Sequence, residues 1–106
     1  MQHVSFITTR DKIGLIDLAL YFMTCEKAGL LKRWCFTYHD DTSKPHYHVW
    51  LESDNKYATV IGEILLGNFI DPHNKKEVMR YVCCTSKGTL HPSLQSNFNV
   101  KAELEL

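Results

Sequence analysis

The stretch His46-Tyr47-His48-Val49-Trp50-Leu51 joins two histidines, one residue apart, to an apolar, β-rich run. Successive side chains of a strand face opposite sides of its sheet, so residues two apart stand side by side. His46 and His48 therefore belong to one side, and Tyr47, Val49 and Leu51 to the other. Residues 34–40 alternate in the same way, with Trp34, Phe36 and Tyr38 interleaved with Cys35, Thr37 and His39. Asp41-Thr42-Ser43-Lys44-Pro45 is a polar connection, and Pro45 stands at a strand entrance, where it removes no ladder bond. An antiparallel pairing with His39 opposite His46 sets Thr37 against His48 and Cys35 against Trp50. Directly opposed residues share a face, about 4.5–5.5 Å apart at Cβ. One face of this hairpin then gathers His39, His46 and His48. The other carries Trp34, Phe36, Tyr38, Tyr47, Val49 and Leu51, an apolar surface that needs helices to cover it.

Those helices flank the hairpin in sequence. Residues 4–9 alternate and are β-branched, a first strand. Residues 14–31 place Leu15, Leu18, Ala19, Phe22 and Leu30 close to helical spacing. After the hairpin, Ser53 and Asp54 are candidate caps of a second helix with the stripe Tyr57, Val60, Ile61, Ile64 and Leu65, stopped at Gly67. Residues 68–71 read as a short strand, 74–87 as a third helix ended by Gly88, and 97–104 as a last strand. The order β-α-β-β-α-β-α-β predicts an α+β fold, a ferredoxin/RRM-like antiparallel sheet with helices packed on it. At 106 residues the whole chain is expected to be one domain around a single core.

Composition narrows the classes. Twelve basic and twelve acidic residues balance to zero formal charge, so any nucleic-acid contact must come from a local patch. No apolar run approaches the length of a membrane span, and the start Met1-Gln2-His3-Val4-Ser5 lacks a signal-peptide pattern. Cys25, Cys35, Cys83 and Cys84 form neither a Cys-x-x-Cys pair nor a disulfide ladder. A reduced protein of the cytoplasm is expected, its cysteines acting as small buried residues.

Three imidazoles on one face are a candidate metal site, since neutral imidazole is the commonest protein metal ligand. Asp41 has the parity of His39 and can add a hard oxygen ligand from the loop; Asp40 points away where the strand runs that far and is otherwise the alternative ligand. Such a mixed set suits Mn2+ or Mg2+, or Zn2+, with positions open to substrate. The third helix offers a nucleophile. At 100° per residue, Val78, Met79, Val82 and Cys83 form one stripe, and Tyr81 falls off it beside Glu77, Cys84 and Thr85. Tyr38 and Tyr47 lie on the core face, Tyr57 begins an apolar stripe, and Tyr21 sits in the first helix. Tyr81 is the tyrosine left to approach the metal, and tyrosine is a recognised covalent nucleophile.

His39-Asp40-Asp41, then Pro45-His46-Tyr47-His48-Val49-Trp50-Leu51, then a helical Tyr81 followed by Lys87, resemble the HUH endonucleases. Within that family the order of motifs is most similar to the single-tyrosine rolling-circle replication initiators of plasmids and small viruses, and the resemblance spans essentially the whole chain. It implies an enzyme that nicks and rejoins single-stranded or hairpin origin DNA through a 5′-phosphotyrosine intermediate. Tyr81 would be the nucleophile, and a divalent metal would sit on His39, His46, His48 and Asp41. The implied partner is host replication machinery, and with one Tyr81 per chain termination would use either a second subunit, in a dimer, or a water. Lys87 would contact phosphate or the tyrosine oxygen, or else is a solvated lysine at a helix end. Lys75, Lys76 and Arg80 would track the DNA backbone, or else solvate an exposed face. Trp50, on the histidine face by parity, offers a stacking surface for an unpaired base, or else packs under the third helix. The chain departs from the family pattern at the aromatic Tyr47, at Thr42 in place of an acidic residue, and at Cys84 three residues after the tyrosine. A transposase of the same superfamily is the second reading, but the 33 positions from His48 to Tyr81 favour an initiator. A non-catalytic DNA-binding module is the third.

Overall fold

The hairpin forms in the predicted register. In the computed structural model, β2 (Arg33–His39) pairs antiparallel with β3 (His46–Ser53), with His39 opposite His46, Thr37 opposite His48 and Cys35 opposite Trp50. The structure describes residues 3–9, 13–40, 44–54, 56–65, 68–70 and 75–106. Around the hairpin lie β1 (His3–Thr9), α1 (Leu15–Lys27), α2 (Tyr57–Ile64), β4 (Asn68–Ile70), α3 (Lys75–Cys83), β5 (Gln95–Ser96) and α4 (Val100–Glu103). The sheet runs β4-β1-β3-β2-β5 with every pair antiparallel. The fold is α+β, and no helix among the described residues is long and apolar enough to cross a membrane.

Both faces of the sheet are covered. On one, Ile7, Trp34, Phe36, Tyr47, Val49 and Leu51 bury against Leu18, Phe22 and Cys25 of α1 and Ala58, Ile61 and Leu65 at α2. This is the core face that strand parity assigned. On the other, Val4, Cys35 and Trp50 meet Met79, Val82 and Cys83 of α3, Val100 of α4 and Leu104. The histidine face is therefore half core and half site. Each large side chain fully buried there is worth about 1.5–3 kcal/mol.

Several expectations change. Residues 97–104 are not a strand; the last strand is the two-residue β5, and the chain then turns into α4. Asn99 accepts a hydrogen bond from the Ala102 N–H (3.1 Å) as an N-cap, and Val100 and Leu104, four apart, bury on one face. Arg33 pins this element to the sheet, gripping Glu52 at 2.8 and 3.2 Å and Glu103 at 3.3 Å while lying over the Trp50 and Phe98 rings. The third helix ends at Cys83, not at residue 87. Thr85 N–H bonds Thr89 O, Cys84 bridges Leu90, and Gly88 adopts the positive φ (79°) that this reversal requires. On α2 the buried stripe is Ala58, Ile61, Gly62 and Leu65, whereas Tyr57, Val60 and Ile64 are exposed. Ser53 does serve this helix, its Oγ accepting from Ala58 N–H at 3.1 Å. Trp50 has no exposed surface, so it cannot stack on an unpaired base; it packs beneath α3 and α4.

Candidate metal and nucleophile site

Strand parity and register bring His39, His46 and His48 together at the end of the β2–β3 ladder nearest the connection between the two strands. One nitrogen from each lies within 4.8 Å of the others. The Lys44 carbonyl can only accept, so the His46 Nδ1 at 3.0 Å from it carries a proton and Nε2 carries the lone pair. That Nε2 faces His48 Nε2 at 3.0 Å. Two imidazole lone pairs cannot share such a gap unless a proton or a cation lies between them. Nitrogens bound to one metal at about 2.0–2.2 Å sit roughly 2.8–3.6 Å apart; the His46–His48 spacing falls inside that range, and the third nitrogen lies within 4.8 Å.

His48 is the buried member of the group, and its Nδ1 has no hydrogen-bond partner among the described residues. Burial, and then the neighbouring His39, His46 and His91, lower its pKa from 6.5 to about 4. His48 is thus neutral at pH 7, the form a metal needs. The C-terminal end of α3 abuts the cluster: Val82 O accepts from Thr37 Oγ1 (2.6 Å) and Cys83 O from His91 N–H (2.8 Å). The partial negative charge of a helix C-terminus favours a cation there.

Tyr81 stands beside this cluster. The residue is 64% exposed, and its ring meets the His48 ring edge-on, centroids 5.2 Å apart, with Phe6 on another side at 5.7 Å. A cleft of about 530 Å³ opens between His39, His48, Arg80, Tyr81 and the turn that follows α3. The other tyrosines are held elsewhere. Tyr47 is buried on the opposite face and donates to Ile13 O at 2.7 Å, with Tyr38 packed on its ring.

The remaining expected site residues divide. Asp41 lies outside the described residues, and Asp40 is exposed. Lys75 and Lys76 are exposed on the first turn of α3. Arg80 lines the cleft but also gives a guanidinium hydrogen bond to Leu104 O at 3.3 Å, so part of its donor capacity holds the C-terminal segment. Lys87 is exposed on the turn, its backbone N–H bonded to Thr85 Oγ1. Trp50 is removed from the DNA-contact set by its burial.

Sequence reasoning missed His91. Its ring lies 4.7 Å from that of His39, and its Nδ1 meets Ser93 Oγ at 2.7 Å. No periodicity signals it, because the reversal after α3 carries it back to the sheet. Comparison with protein-family models, with curated proteins and with solved structures gave no match for this chain.

Proposed function

We propose that this chain is a divalent-metal-dependent endonuclease that nicks and rejoins single-stranded DNA through Tyr81, in the manner of the HUH replication initiators. The carrying observation is the pair of histidine nitrogens facing each other at 3.0 Å with an exposed tyrosine ring against one of them. The sheet order β4-β1-β3-β2, with α1 and α2 on one face, supports a ferredoxin-like core for this reading.

His39, His46 and His48 would hold Mn2+ or Mg2+, with Asp41 as a further ligand. A bound ion would supply Lewis-acid polarisation of a scissile phosphate and offset the charge that develops on it. Tyr81 Oη attacks the phosphorus in line; its O–P bond forms as the bond to the departing 3′-oxygen breaks. The phenol proton leaves to solvent, and the 3′-oxygen takes up a proton. The product is a 5′-phosphotyrosine and a free 3′-hydroxyl, and attack by a 3′-hydroxyl reverses the step. Arg80, at the cleft wall, is placed to meet a phosphate, and Lys75 and Lys76 extend that charge along α3. Exposure of Tyr81 at the rim of the cleft suits a strand that can bend across it.

The test is incubation with mixed single-stranded oligonucleotides and Mn2+, followed by denaturing electrophoresis. The expected result is a metal-dependent, slower-migrating protein–DNA adduct. Cleavage without any adduct would turn the reading toward a water nucleophile.

A further inference from the structure

We propose that Thr37 is a positioning residue that selects the ligating nitrogen of His39 and ties this ligand to the helix of Tyr81. The inference rests on the metal-site reading above. Thr37 is fully buried on β2, on the histidine face, opposite His48. Its Oγ1 makes two short contacts, 2.6 Å to Val82 O and 2.9 Å to His39 Nε2. A carbonyl has no proton to give, so the single hydroxyl proton of Thr37 goes to Val82. The hydroxyl then offers His39 only a lone pair. His39 must donate its Nε2–H, and in the neutral ring that leaves the lone pair on Nδ1. A metal-ligating histidine typically donates its other ring N–H to a fixed acceptor, and Thr37 supplies that acceptor.

The second contact reaches the nucleophile. Val82 follows Tyr81, and its carbonyl is among the last four of α3, which have no partner within the helix. One hydroxyl therefore serves as outer support of a metal ligand and as cap of the nucleophile's helix. Valine fits a strand as well as threonine does, and a buried hydroxyl is costly unless its bonds are made. Here both are made, and both lead to the site.

The experiment is calorimetric Mn2+ binding to the metal-free protein in a double-mutant cycle of Thr37→Val and His39→Ala, with Thr37→Ser as the conservative variant. Loss of such outer-shell support ordinarily weakens metal binding about 10–100-fold, and that is expected for Thr37→Val. Thr37→Ser should restore binding to near the parent value. Because Thr37 acts through His39, the double variant should bind like His39→Ala alone. Unchanged binding by Thr37→Val overturns the proposal. So does a full additional loss in the His39→Ala background, which would make Thr37 a packing residue only. Absence of Mn2+ binding by the parent protein removes the metal reading itself and this inference with it. Thr37→Ala, which adds no bulk, repeats the cycle if the valine variant does not fold.

Discussion

Replacing Tyr81 by phenylalanine separates chemistry from structure more cleanly than any other single change. The substitution removes one oxygen from a side chain that is 64% exposed and keeps the ring against His48 and Phe6. Exposed substitutions of this kind usually alter stability by less than about 0.5 kcal/mol. For a domain of this length that is a shift in Tm of at most roughly 4 °C. Activity should respond on another scale. Loss of a covalent nucleophile costs on the order of 10⁴-fold or more, equivalent to about 5.5 kcal/mol of barrier. The assay is a 5′-labelled single strand with Mn2+, resolved on a denaturing gel, beside a thermal melt of the same sample. Tyr81→Phe should melt with the parent, bind the strand, and form neither cut product nor adduct. Cleavage at the parent rate would refute the assignment, because Tyr47 is sealed under the opposite face and Tyr57 belongs to a helix on that same far side. An adduct mapped by mass spectrometry to Tyr21, Tyr38, Tyr47 or Tyr57 would refute it equally.

His46→Ala and His48→Ala should each weaken Mn2+ binding sharply, and the double variant should show no calorimetric binding; retention of the parent affinity would remove the site. In metal-free protein, stability should fall as pH drops from 6.5 toward 4, because His48 then takes a proton more readily unfolded than folded. The drop in pKa corresponds to roughly 3 kcal/mol at most, and water in the cleft screens it to about 1–2 kcal/mol. Denaturant midpoints that stay constant across that window in the parent, or still decline equally in His48→Ala, would contradict it. One sequence presented as single strand, hairpin loop and paired duplex should be cut in the first two forms; equal rates on linear duplex would show that the protein melts its own site.

The features legible in the sequence are local ones. The β2–β3 register follows from two alternating runs and one polar link, and it places three histidines without information from elsewhere in the chain. The azimuth of Tyr81 on α3 follows from helical period alone. Long-range packing hid the rest. The largest apolar residues of α2 suggest one stripe, but Ala58 and Gly62 allow the backbone to approach the sheet, and Tyr57 and Ile64 are turned outward. Residues 97–104 alternate well enough for a strand, yet Asn99 and the Val100–Leu104 pair close a helical turn over Trp50. His91 depends on the Cys84–Leu90 bridge, a contact with no signature in composition.

The burial of Trp50 removes a stacking surface and at the same time places Tyr81. Trp50 and His48 are neighbours on one face of β3, two residues apart. Met79, Val82 and Cys83 close over the tryptophan with Cys35, which fixes the rotation of α3 about its axis. Tyr81 precedes Val82 by one residue, about 100° around the helix, so it must emerge at the margin of that contact. The margin lies over His48, and the two rings meet there at 5.2 Å. A rotation that exposed Trp50 would swing Tyr81 from the imidazoles and withdraw the Val82 carbonyl from Thr37. Core packing on one half of the face and the contact of Tyr81 with His48 on the other are consequences of the same helix placement.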